Sequence, residues 1–209
     1  MPTEPINKRV VAFVDGQALF HSAREAFGYV YPNYDVTKLV QAVADLKGWQ
    51  LVKVYFYTGM PERHEQEFWH DFWAAKLAVM GTRNITTFTR PLRYANKTVM
   101  LKDGTTQTLR IPREKGIDVR LALDATRLAW QADYDVALIF SQDQDLSEVA
   151  DEVKKISEVQ RRWIKVASAF PISPTAENRR GINNTEWVKI DRATYDACLD
   201  KTDYRPRIK

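Results

Sequence analysis

Two five-residue runs, Val10-Val-Ala-Phe-Val14 and Val136-Ala-Leu-Ile-Phe140, contain no polar residue, and each stops at an acidic segment. A strand with one face in water alternates apolar and polar side chains. A strand that is apolar throughout must be covered on both faces, as in a parallel sheet with helices above and below. Three further stretches read as strands: Trp49-Gln-Leu-Val-Lys-Val-Tyr-Phe-Tyr57, Asn84 to Thr89 and Trp163 to Ala167. Helical spacing separates them, over Ala18 to Phe27, over Val36 to Leu46, and in a long helix expected to open at Pro61 and Glu62 and to carry Phe68, Phe72, Leu77 and Met80. Strands alternating with helices predict a three-layer α/β/α fold around a mainly parallel sheet.

One segment breaks the alternation. Thr98 to Ile111 places Asp103-Gly104 between two β-rich runs, a hairpin signal. It reads as a β-hairpin inserted over about residues 96–112, with the cations Arg90, Arg93, Lys97, Lys102, Arg110, Arg113 and Lys115 on and around it. The 209 residues suit one domain, 1–209, with its core over about 8–190 and a loose basic tail over 201–209. No apolar run approaches the roughly 20 residues of a membrane span, and the N-terminal residues lack the apolar stretch of a secretion signal. A cytoplasmic location, with no membrane partner, is expected. Cys198 is the only cysteine, which excludes an internal disulfide and a multi-cysteine metal site. The net charge of +4 is compatible with an anionic partner without requiring one.

In open α/β sheets ligands sit beyond the carboxyl ends of the strands. The first strand ends in Asp15, and the fourth in Ser141-Gln-Asp-Gln-Asp145. Gly116 precedes a helix whose first turn holds Asp118 and whose buried face is Ile117, Leu121, Ala125 and Leu128. Asp124, six residues after Asp118, lies about 240° around that helix, which suits a structural role. Two unit charges about 4 Å apart cost roughly 4 kcal/mol at an effective dielectric near 20. Carboxylates that converge therefore need protons, basic neighbours or a divalent cation. Mg²⁺ and Mn²⁺ take oxygen ligands and keep positions open for water and phosphate, which suits phosphodiester hydrolysis.

Phe13-Val-Asp-Gly-Gln17, Glu114-Lys-Gly-Ile-Asp-Val-Arg-Leu-Ala-Leu-Asp124 and Ser141-Gln-Asp-Gln-Asp-Leu146, in this order, resemble the NYN branch of the PIN-like nucleases, the group that includes LabA-type proteins. The resemblance spans about residues 8–190. It implies a parallel sheet of strand order 3-2-1-4-5, a Mg²⁺ or Mn²⁺ site, and endo- or exonuclease action, usually on RNA. Carried over by position, the catalytic and metal-ligating candidates are Asp15, Asp118, Asp143 and Asp145. Arg110, Arg113 and Lys115 are the substrate-binding candidates, and single-stranded or structured RNA is the partner implied; a homodimer stays open. The chain departs from the family pattern at Ala18, where an Asn is usual, and at Gln142, where a small Gly is usual.

Plainer readings of the same residues stand beside these. Asp15 can end a strand at a turn, Asp145 can be an N-cap for the helix containing Val149 and Val153, and Asp118 can complement a helix dipole. Tyr31, Tyr94 and Trp187 can stack on bases or pack at a rim, and Trp69 and Trp73 can form one packed helix face. His21 can sit near the mouth or be an ordinary surface histidine. A nucleic-acid-binding module that has lost turnover is the alternative function, motivated by Ala18. A haloacid-type phosphatase would want an acid where Gln17 stands, and no Gly-x-Gly-x-x-Gly follows the first strand for a dinucleotide.

Overall fold

The computed structural model describes residues 2–100 and 103–206. Six parallel strands form the central sheet: β1 (Arg9–Asp15), β2 (Gln50–Met60), β3 (Ile85–Pro91), β6 (Val136–Phe140), β7 (Lys165–Pro171) and β8 (Glu186–Ile190), in the order β3-β2-β1-β6-β7-β8. Between β3 and β6 the chain forms a separate antiparallel hairpin, β4 (Arg93–Met100) with β5 (Thr106–Arg113). With the hairpin set aside, the first five sheet strands keep the predicted order 3-2-1-4-5. The sixth, β8, was not predicted. It has five residues, only two of them buried, and so gives neither a long apolar run nor a sustained alternation.

The apolar strands divide their side chains between two cores. Val10, Ala12, Val14, Val136, Leu138 and Phe140 face the layer of α1 (Gly16–Phe27), α2 (Val36–Leu46) and α3 (Glu67–Thr82). Val11, Phe13, Ala137 and Ile139 face α4 (Ile117–Trp130) and α5 (Ser147–Gln160). Strand parity sends successive side chains to opposite faces, so both central strands must be apolar throughout. It also sets the direction of Asp15, which follows Val11 and Phe13 onto the α4 side.

The helix after β2 starts at Glu67 rather than at Pro61. A turn intervenes, in which the amides of Glu65 and Gln66 both donate to the Glu62 carbonyl. Gln66, at φ −147° and ψ 73°, lies outside helical geometry and offers no side-chain cap. The hairpin turn is the predicted one: Gly104 has φ +82°, and the amide and hydroxyl of Thr105 both donate to Asp103 Oδ1. Lys102 lies outside the described residues, as do Arg207 and Lys209 of the tail. The tail packs as far as Tyr204, which is buried and donates to Asp200 Oδ2 at 2.8 Å, after α6 (Arg192–Ala197). Lys76, buried on α3, holds this region by donating to the Tyr34 carbonyl at 2.7 Å, with its ammonium 4.9 Å from the Tyr204 ring centre. Among the described residues no helix is long and apolar enough to cross a membrane.

Gly16 owes its place to close approach rather than to an unusual backbone angle. A Cβ there would strike the Phe56 ring and lie 3.1 Å from the Tyr57 carbonyl oxygen of β2. Phe56 is fully buried and has little room to yield. Gly16→Ala is therefore expected to lower stability by about 1–3 kcal/mol, measured by urea unfolding; an unchanged midpoint would show that Phe56 has room to move.

Candidate metal centre at the strand ends

Asp15 ends β1 and caps α1, its Oδ1 accepting from the amides of Gln17 (3.0 Å) and Ala18 (2.9 Å). Those bonds leave Oδ2 for another partner. Ala18 takes part through its backbone, so the missing Asn side chain does not disturb the cap. The β1–β6 register pairs Val14 with Phe140 and so brings Ser141 beside Asp15. Two residues on, Asp143 caps a single 3₁₀ turn (Gln144–Leu146) by accepting from the Asp145 amide at 3.0 Å. The expectation that Asp145 caps α5 is not met: the 3₁₀ turn intervenes, and Leu146 occupies the cap position without a side-chain bond.

Asp118 lies in the first turn of α4, which starts from Gly116 at φ +76°. The carboxylates sense one another. Asp118 is pushed above the usual range by burial and then by Asp143, with a further contribution from Asp145, while a hydrogen bond with Asp15 acts the other way. Asp15 is pushed up to about 8, first by burial and then by the charges of Glu114 and Asp118. Asp118 is thus linked to Asp15 on one side and to Asp143 and Asp145 on the other, with Asp15 buried, Asp118 half-buried and Asp143 and Asp145 exposed.

A fifth carboxylate joins them. Glu114 tucks against the end of β2 and accepts a short hydrogen bond from the Gly59 amide. Burial raises it to about 7, and Asp118 adds to the shift. Gly59 makes the space, since a Cβ there would lie 2.6 Å from Glu114 Oε2. The only sequence signal was position, four residues before Asp118 in the same motif.

The chemistry of the donor set fits a hard divalent cation. Among the described residues none of the five has a salt-bridge partner. Other buried aspartates do: Asp124 with Arg120 (2.9 Å) and Arg127 (3.0 Å), Asp135 with Arg9 (3.1 Å) and Asp35 with Arg83 (2.8 Å). Asp124 also accepts from the Tyr57 hydroxyl at 3.1 Å, which gives it the structural role expected of it. Five carboxylates without a cation form an unbalanced, all-oxygen set of the kind Mg²⁺ and Mn²⁺ take. Among the described residues no three His, Cys, Asp or Glu side chains are placed so that they could hold a metal ion together.

The glutamines of the acidic motif latch a loop beside this mouth. Gln142 Nε2 donates to the carbonyls of Arg180 (2.9 Å) and Asn178 (3.3 Å), and its Oε1 accepts from Ser22. Gln144 Nε2 donates to the Gly181 carbonyl at 3.1 Å, and its Oε1 accepts from the Asn183 amide at 3.2 Å. The larger side chain at position 142 thus has an anchoring task that a Gly could not perform.

The predicted substrate-binding cations differ in their commitments. Arg110 lies 2.5 Å from Glu65 and 5.5 Å from the Tyr94 ring centre, so its charge is partly answered within the chain. Arg113 stands opposite Arg93 at the base of the hairpin, both exposed. Like charges directly opposite repel, and an anion between them would relieve that. Lys115 is exposed beside Glu114. Of the aromatic candidates, Trp187 donates its indole N–H to the Ile182 carbonyl, and Tyr31 packs between Phe72 and Arg205.

The sequence matches the NYN domain family over residues 9–169. No curated protein matches it. Among solved structures, a protein of unknown function, VPA0982 from Vibrio parahaemolyticus, is 18% identical with a TM-score of 0.55, over 91% of this chain and 97% of its own. At that identity the likeness shows the fold alone. A possible 1-phosphofructokinase of Thermotoga maritima aligns with a TM-score of 0.35 and 10% identity over 78% of this chain and 54% of its own, too low to bear on the fold.

Asp15 and Glu114 have folded pKa values above their ordinary ones. The stability each contributes is full below about pH 4, where folded and unfolded chains are both protonated, and is lost as pH rises through about 7 and 8. In excess EDTA, stability from urea unfolding is expected to fall between about pH 5 and about pH 8, at a slope approaching about 1.4 kcal/mol per pH unit for Asp15 alone. Asp15→Asn removes the share of Asp15 and leaves that of Glu114, so that the fall ends near pH 7 instead of pH 8. A flat wild-type profile would contradict the assigned burial of charge.

Proposed function

The chain belongs to the NYN domain family, a branch of the PIN-like nucleases, and on that premise we propose that it is a Mg²⁺- or Mn²⁺-dependent ribonuclease. The observation that carries this reading is the mutual influence of carboxylates from β1, α4 and the end of β6, none of which has a salt-bridge partner among the described residues. Asp15, Asp118, Asp143 and Asp145 would hold the ion. When bound, it supplies Lewis acidity toward a phosphodiester oxygen and toward water.

The protein's own residues do the rest by placement. Asp15 fixes the floor of the site through its two backbone bonds, and Asp143 fixes the rim through the Asp145 amide. Glu114, braced on Gly59, sets the wall between the mouth and the hairpin. Arg113 and Lys115, with Arg93 opposite, give the approaching strand phosphate contacts that carry no sequence information. Arg110 contributes less, because Glu65 already pairs it. Ala18, in the place of the family's Asn, supports a second reading in which the domain binds nucleic acid without turning it over.

Asp143→Asn separates these readings. It removes a ligand and a like charge together, so labelled single-stranded RNA in Mn²⁺ should be cut at least about 100-fold more slowly, while the melting temperature stays the same or rises. Unchanged cleavage by the variant, or full activity in excess EDTA, would contradict the metal mechanism. Tight, salt-sensitive binding by the wild type without any product would favour the binding module.

A further inference from the structure

Beside the carboxylate mouth lies a cavity of about 490 Å³ whose lining includes Gln17, Phe20, His21, Gln66, Trp69 and Glu114. It continues from the metal centre by two links. Glu114 forms part of both walls, and Gln17 lines the cavity while its amide holds Asp15. The volume is within the roughly 300–1,000 Å³ of small-molecule sites.

Its composition is amphipathic in a particular way. Phe20 is nearly buried, and its ring centre lies 6.4 Å from that of Trp69 and 5.4 Å from that of His21. Arg24 sits 5.8 Å from the Phe20 ring centre on the same helix face. Trp73 and Leu92, both buried, also contribute to the lining. The rim carries groups that read hydrogen-bonding edges: the amides of Gln17 and Gln66, and His21, whose pKa is lowered by burial and by Arg24. A neutral imidazole presents one donor and one acceptor. A flat heterocycle with an apolar face and a polar edge satisfies both parts. A phosphate would find Arg24 but would face Glu114 and leave the aromatic walls unused; a purely aliphatic ligand would leave the rim unanswered.

We propose that this cavity is a subsite for one nucleobase of the substrate strand, unstacked from its neighbours and held against Phe20 and Trp69 while the adjoining phosphate lies at the carboxylate mouth. The proposal rests on the nuclease reading for the identity of the strand, and it deepens that reading in one respect. The substrate is a single strand, or an unpaired stretch of a folded RNA, since a paired base cannot enter. Stacking on aromatic walls accepts any base, and the rim supplies whatever preference exists.

The test is a binding cycle on the full chain carrying Asp143→Asn, which prevents turnover. A short single-stranded RNA is compared with a ladder in which each nucleotide in turn lacks its base. One position is expected to lose about 10-fold in affinity. Adding Trp69→Ala should weaken the parent RNA by a similar factor and abolish the sensitivity at that position alone. His21→Ala, an exposed rim change that cannot disturb the core, should shrink the loss and alter base preference there, with melting temperatures unchanged.

A flat ladder, or a sensitive position that persists undiminished in both variants, overturns the proposal. So does an absence of RNA binding. The nuclease reading fails separately: if the wild type does not cleave but the Trp69 cycle still shows coupling, the subsite stands in a binding module. Cleavage with a flat ladder removes the subsite and leaves the nuclease.

Discussion

The arrangement at the strand ends starts from an aspartate that closes a strand whose other side chains are nearly all buried. β1 is the centre of the sheet, with hydrophobic layers on both sides, and its last residue carries the charge that the preceding five do not. Parity turns Asp15 toward α4, and burial makes that charge costly. Two backbone amides answer one of its oxygens, and among the described residues no cationic side chain pairs with it. The same fold brings the charges of Asp118 and Glu114 to bear on Asp15, and those of Asp143 and Asp145 on Asp118. A chain selected for stability alone would pair such charges with arginine, as this one does at Asp35, Asp124 and Asp135. The site is set apart by the lack of that pairing.

Around this centre the surface is divided by task. The hairpin supplies cations at its base, where Arg93 and Arg113 face each other in need of an anion. The loop latched by Gln142 and Gln144 encloses another side, held by four side-chain hydrogen bonds to its backbone. The aromatic cavity opens on a third. On the proposed function, a nucleic-acid strand meets charge, shape and stacking surfaces within one region, and each of these comes from a segment outside the strands that build the sheet.

Much of the fold was legible because strands buried on both faces leave no ambiguity: Val136–Phe140 is the predicted strand to the residue, and Val36–Leu46 the predicted helix. The positions of the four aspartates, at two strand ends and in the first turn of α4, were legible because strand ends and a Gly-started helix are local signals. The rest was not, for physical reasons that differ. Glu114 enters the site through Gly59, 55 residues away in sequence, and no local pattern encodes that contact. Arg110 looked like a free cation because its partner Glu65 lies across a tertiary gap. Trp69 and Trp73 read as one packed face and both pack on the same core, Trp73 buried and Trp69 partly so; not legible was the cavity both line, which exists only once α1 and α3 are side by side. The Asp145 cap failed because Asp143 captures the Asp145 amide first and tightens the chain into a 3₁₀ turn.

Anomalous diffraction from crystals soaked in Mn²⁺ tests the convergence of charge most directly. The account predicts an anomalous peak at the strand-end mouth, within coordination distance of Asp15 and Asp118 and of at least one of Asp143 and Asp145. A mouth without a peak, in crystals that bind Mn²⁺ at some other carboxylates, would contradict it.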